Sequence, residues 1–73
     1  ELSKGDVRFL VAMLEDDGPS ELADVARRLG KRSNYASQYK RRLQEQGIVG
    51  EVGQGRIRIE LPMFKDYLRD QLL

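Results

Sequence analysis

Asn34, Ser37, Gln38 and Arg41 stand out as a set of side chains able to read a surface rather than fill a core. If Ala36, Tyr39 and Leu43 point inward, as their helical spacing requires, these four share the outer face of the same helix. Asn and Gln can pair bidentately with adenine, Arg with guanine, and Ser with a base or a phosphate. Lys31, Arg32 and the helix N-terminus at Ser33 are placed to meet phosphates. Arg42 and Lys40 add positive charge at the flanks. Tyr35 fits two positions, the rim of the core or the edge of a groove against sugar and phosphate. The competing reading is a solvated helix. Against it stands the absence of acids in this stretch before Glu45, where surface helices ordinarily mix both signs for i,i+4 pairing.

A second group lies downstream. Arg56 and Arg58 alternate with Ile57 and Ile59, so both arginines project from the face that does not join a core. Gln54 sits between Gly53 and Gly55 at the tip of the same unit. A glycine-rich tip followed by outward arginines suits contact with a nucleic-acid backbone or a minor groove. It equally suits protection of an edge strand by charge.

Other chemistry is excluded by residue type. The 73 residues contain no cysteine and no histidine, which removes disulfides, thiolate metal sites and catalysis by His or Cys. Asp16-Asp17 is a carboxylate pair, but it sits beside Gly18-Pro19 at a helix end, with no partner base or pocket implied. Gly53-Gln54-Gly55 lacks the Lys-Ser/Thr and the following helix of a phosphate-binding loop. Neither an enzyme site, nor a cofactor site, nor a metal site is expected. Charged residues at 34% and apolar residues at 40% fit a soluble globular domain, and no apolar run reaches the length of a membrane span.

The net charge of +1 conceals a polarity. Residues 1–30 hold four basic side chains against seven acids, a net of −3, and residues 31–60 hold seven against three, a net of +4. A small domain polarised in this way suggests an anionic partner on its basic side.

The elements that must position these groups follow from periodicity. Ser3, with Asp6 three residues on, opens a first helix whose stripe is Val7, Leu10, Val11 and Leu14, widened by Phe9 and Met13. Asp16-Asp17-Gly18-Pro19 ends it. Ser20 is expected to cap a second helix, residues 20–29, with Leu22, Val25, Ala26 and Leu29 inward and Gly30 at its end. Ser33 is expected to cap a third, residues 33–46, closed by Gly47. Two runs, Ile48–Val52 and Arg56–Leu61, form a two-stranded hairpin over residues 48–61. Pro62 starts a final helix with Met63 or Phe64, Tyr67, Leu68 and Leu72 on its apolar side. Two helices joined by a three-residue turn containing Gly30 match a helix-turn-helix, in which the second helix enters the major groove.

With its segments "SELADVARRLGKRSNYASQYKRRLQEQGIV", "EVGQGRIRIELP" and "MFKDYLR", the chain resembles the winged helix-turn-helix superfamily. More narrowly, "LSKGDVRFLVAM", "DVARRLGKRSNYASQYKRRL" and "LPMFKDYLR" look like the C-terminal winged-helix domain of prokaryotic AAA-type ATP-binding proteins. The expected fold is therefore α+β, mainly α: three helices, a two-stranded wing and a C-terminal helix in one domain over residues 1–73. The resemblance implies double-stranded DNA binding through the third helix and the wing, in a larger protein whose ATPase module lies upstream; the lack of cysteine is compatible with the cytoplasmic location expected for it. A start at Glu1 rather than Met reads the same way, as a piece of a longer chain. The alternative is a winged helix that binds protein and not DNA, since the fold serves both. RNA binding is disfavoured because no aromatic stacking platform is displayed on the hairpin.

Overall fold

The capping arrangement at the N-terminus forms as the sequence requires. In the computed structural model, which describes residues 2–61 and 63–72 with burial as far as Asp70, the Ser3 hydroxyl accepts from the Asp6 amide at 3.1 Å. The Asp6 carboxylate accepts from the Ser3 amide at 2.9 Å. This reciprocal pair satisfies two orphan donors and opens helix α1, Lys4–Met13. Phe9, Leu10, Ala12 and Met13 are buried along its inner face.

The chain is α+β and mainly α, with four helices and a three-stranded antiparallel sheet among the described residues. Strand β1, Ser20–Glu21, precedes helix α2, Leu22–Leu29. Helix α3 spans Ser33–Glu45, strands β2 and β3 span Val49–Glu51 and Arg56–Ile59, and helix α4 spans Phe64–Leu72. The strand order is β1-β3-β2, so β3 is central. Its partners are Ser20↔Ile57 and Glu21↔Arg56 on one side, and Val49↔Ile59, Gly50↔Arg58 and Glu51↔Ile57 on the other. A further bond from the Val52 amide to the Arg56 carbonyl, 2.8 Å, leaves 53–55 as the hairpin loop. Both flanking glycines of that loop have φ near +70°, the left-handed region open to glycine at little cost.

Four sequence expectations are corrected. The sheet has three strands rather than two, because Ser20–Glu21 pairs with β3. Ser20 is consequently no helix cap. It is buried in β1 and its hydroxyl donates to the Met13 carbonyl over 3.4 Å. The cap of α2 is Glu21, and the first helical amide, that of Leu22, donates instead to the Gly55 carbonyl at the hairpin tip, 2.9 Å away. The cap of α3 is likewise Arg32 rather than Ser33, and the Asn34 side-chain oxygen accepts the Tyr35 amide at 3.0 Å. Pro62 and the side chain of Leu72, both assigned to the last helix above, lie outside the described residues. Leu61, expected in the second strand, follows β3 and is exposed.

Helices α2 and α3 both end as predicted. Gly30 and Gly47 carry φ of 67° and 75°, and the next amides, of Lys31 and Ile48, reach back to the Ala26 and Leu43 carbonyls at 3.0 and 2.9 Å. These are six-to-one closures that satisfy orphan carbonyls and, at Ile48, turn an apolar residue into the core. That core joins α1, α2, α3, the sheet and α4 through Phe9, Leu10, Val25, Ala36, Leu43, Ile57 and Leu68.

Candidate functional site

Helix α3 presents two faces as its spacing requires. Ala36 and Leu43 are fully buried, and Tyr39 is half-buried against the core. Asn34, Gln38 and Arg41 are exposed, and Ser37 is half-buried. The four side chains singled out above therefore lie on the outer side of one helix. Lys31, Arg32 and Ser33 are exposed in the turn and first residue that precede them. At the hairpin, Gln54, Arg56 and Arg58 are exposed while Ile57 between the arginines is buried. Helix α3 and the hairpin are joined at the surface by a contact of 3.6 Å between Lys40 Nζ and Glu51 on β2.

Not every basic group in this region is free. Arg58 Nε lies 3.3 Å from Glu60, and Gly50, opposite Arg58 in the register, leaves the space that the Glu60 side chain occupies. Lys40 is similarly matched by Glu51. Arg42 turns away from the reading face: its guanidinium donates to the fully buried Asp6 carboxylate at 3.1 Å and lies over the Tyr39 ring at 5.4 Å. Spacing within α3 could not disclose that partner, because Asp6 is 36 residues away. Among the described residues, Arg32, Arg41 and Arg56 make no ion pair.

Tyr35 is half-buried and connects both parts of the helix. Its ring lies 4.9 Å from that of Tyr39, and Lys31 Nζ lies 5.2 Å above it. The Tyr39 phenol is pushed above its ordinary value by the Tyr35 hydroxyl first and by burial second. It remains neutral at physiological pH and can serve as a hydrogen-bond donor. The Tyr39 hydroxyl end rests against Gly5, where α1 has no side chain to obstruct it. Tyr39, stacked on Phe9 with ring centroids 6.4 Å apart and lodged against Gly5, thus sets α3 on α1.

The Asp16-Asp17 pair is a structural feature. Arg28 clamps Asp16 with two bonds of 2.7 and 2.9 Å and also donates to the Ala12 carbonyl at 3.0 Å, an orphan of the α1 C-terminus. The Arg28 bonds, followed by Ser20, hold the Asp16 carboxyl at about 2, and the same contact raises Arg28 further. No cluster of three or more acidic side chains suited to a metal ion occurs among the described residues, and no described helix is long and apolar enough to cross a membrane.

A small α+β domain with a polar helix face beside a glycine-tipped hairpin is thus the class that fold and surface define. A family model described as "Domain of unknown function (DUF8462)" matches residues 1–68, and the chain belongs to that family. No curated protein and no solved structure matches it.

Proposed function

We propose that this domain is a winged helix-turn-helix that binds double-stranded DNA, with α3 in the major groove and the hairpin of β2 and β3 as its wing. The observation that carries the reading is the exposed set Asn34, Gln38 and Arg41 on α3, adjoining a hairpin that exposes Gln54, Arg56 and Arg58. Asn34, Ser37, Gln38 and Arg41 read base edges. Lys31, Arg32 and Ser33 hold phosphates where the helix begins. Arg56 and Arg58 follow the backbone or enter a minor groove, and Tyr35 borders the interface. Arg42 acts through its bond to Asp6 and supports α3 more than it contacts nucleic acid. The resemblance to the C-terminal domain of prokaryotic AAA-type proteins extends this to a module tethered to an ATPase unit of the same polypeptide.

A second reading draws on a specific observation. Glu51 and Glu60 sit beside Lys40 and Arg58 and interrupt the positive surface, which favours a winged helix that docks on protein. Titration of a labelled duplex at two salt concentrations separates the two. Binding is expected to weaken steeply with salt, because each phosphate contact releases counterions. An Arg41→Ala/Arg58→Ala double variant is expected to lose most of it. Binding that ignores salt, or that survives the double variant intact, overturns the DNA reading in favour of protein docking.

A further inference from the structure

The exposed large apolar side chains among the described residues are Leu61, Met63 and Tyr67, at 44%, 75% and 51% exposure. All three line one open groove between α1 and the start of α4, whose floor includes Leu2, Val7, Phe64 and Leu68. Singly exposed apolar residues are ordinary, but a contiguous patch marks a surface that another molecule covers. Met63 also holds a left-handed φ of 70°, an uncommon conformation for a side chain of its size. The turn that holds it is closed within the chain, with the Phe64 amide donating to the Leu61 carbonyl at 3.2 Å and the Tyr67 amide to the Met63 carbonyl at 3.1 Å, so the thioether is held outward at the groove mouth.

Charge points to the occupant. The α1 rim of the groove carries Lys4 and Arg8, both exposed, four residues apart, and without an acidic partner among the described residues. The exposed side of α4 carries Asp66 and Asp70, also four residues apart and on the face of Tyr67, with Arg69 beside Asp66. Positions 66, 67 and 70 share one face of α4, and Met63 lies in the turn just before it. Equal spacing of two bases on α1 and two acids on α4 lets the pairs meet in register across helices laid side by side. Within one chain they do not meet: Asp66 instead lies 3.8 Å from Arg69 of its own helix.

We propose that this groove is the docking site for α4 of a second copy of the chain, in a two-fold symmetric dimer. Met63 and Tyr67 of each copy enter the groove of the other, and Asp66 and Asp70 face the partner's Lys4 and the partner's Arg8. The two-fold operation makes one surface serve as both key and lock.

Sedimentation equilibrium of the 73-residue chain in the absence of DNA tests this, and its outcome is independent of the function proposed above. The wild type is expected to dimerise, and Asp66→Lys/Asp70→Lys and Lys4→Glu/Arg8→Glu are each expected to weaken association at least tenfold by placing like charges in contact. An equimolar mixture of these two variants is expected to recover a one-to-one heterodimer, since each then supplies the charge the other now lacks. Circular dichroism verifies that each variant is folded, and Tyr67→Ala, which alters no charge, is expected to give the same loss of dimer. A wild type that stays monomeric into the high micromolar range, a mixture that stays monomeric, or a dimer indifferent to these substitutions overturns the proposal. So does a monomer whose groove takes up an added acidic amphipathic peptide.

Discussion

At the scale of single residues, a polar anchor on α2 and a missing side chain on α1 supplement the core in holding α2 and α3 on α1. Arg28 bonds Asp16 bidentately while also reaching the Ala12 carbonyl, so one guanidinium closes a helix end and ties two helices together. The carboxyl of Asp16 is held at about 2 against an ordinary 3.8, through Arg28 and then Ser20. A group whose pKa is lowered by folding contributes stability above its unfolded value and loses it as pH falls toward the folded one. The contribution of Asp16 is therefore complete above about pH 4 and gone near pH 2. Asp16→Asn is expected to lower the thermal midpoint at neutral pH and to converge with wild type near pH 2, in melts followed by circular dichroism. Gly5 is the missing side chain. A Cβ there would strike the Tyr39 ring and hydroxyl. Gly→Ala within a helix normally stabilises by up to about 1 kcal/mol. Gly5→Ala is instead expected to destabilise by roughly 1–3 kcal/mol through overpacking. Tyr39→Phe, which removes the nearest clashing atom, should recover part of that loss in a urea-denaturation double-mutant cycle.

Elements in this chain end where the residue at the break permits only one continuation. Gly30 and Gly47 both adopt left-handed φ with nothing within 4 Å of an added Cβ. Any cost of substitution there is conformational rather than steric contact. Gly30→Ala is expected to cost about 1–2 kcal/mol in urea denaturation, and to loosen the turn that sets Lys31 and Arg32. The start of α2 shows the opposite situation. Its first amide is satisfied by the hairpin tip, through the Gly55 carbonyl, and not by a side chain of its own. The tip of the hairpin is therefore fixed to the base of α2, and β1 pairs β3 to complete that link. Residues 53–55 act as a held tip, which keeps Gln54 and Arg56 at a constant place relative to α3.

For the molecule as a whole, size and charge distribution decide what the parts can do. A domain of 73 residues has a core worth only a few kcal/mol net, and here that core draws on all four helices and the sheet. The surfaces left over are of two kinds. The outer side of α3 and the hairpin is polar with unpaired arginines at 32, 41 and 56 among the described residues, partly offset by Glu51 and Glu60. The α1–α4 groove is apolar with a basic rim. On the proposed function, about four to seven phosphate contacts give a log–log salt slope near −0.9 for each contact formed. Arg41→Ala is expected to reduce that slope by close to one contact while leaving the thermal midpoint unchanged. Arg42→Ala is expected to lower the midpoint, because it strips the ionic partner from a buried Asp6. Binding isotherms at several salt concentrations, alongside melts, read both effects.

Much of this arrangement was legible in the residues themselves because it depends on neighbours in the chain. The Ser3–Asp6 capping box, the stripes of α1 and α3, the glycine closures at 30 and 47 and the alternation of Arg56 to Ile59 are local patterns, and local hydrogen bonding and side-chain period suffice to form them. The sides of α3 could be told apart for the same reason: Ala36 and Leu43 are spaced to be buried, and Asn34, Gln38 and Arg41 are left outside. Strand β1 had no such signal. Two residues carry no period, and Ser20–Glu21 is extended because β3 offers it a free edge, with the capping of α2 passing from Ser20 to the Gly55 carbonyl as a result. The partners of Arg28, Arg42 and Glu60, and the groove between α1 and α4, were equally beyond reach. Each depends on where separately folded elements come to rest, and packing of the shared core decides that.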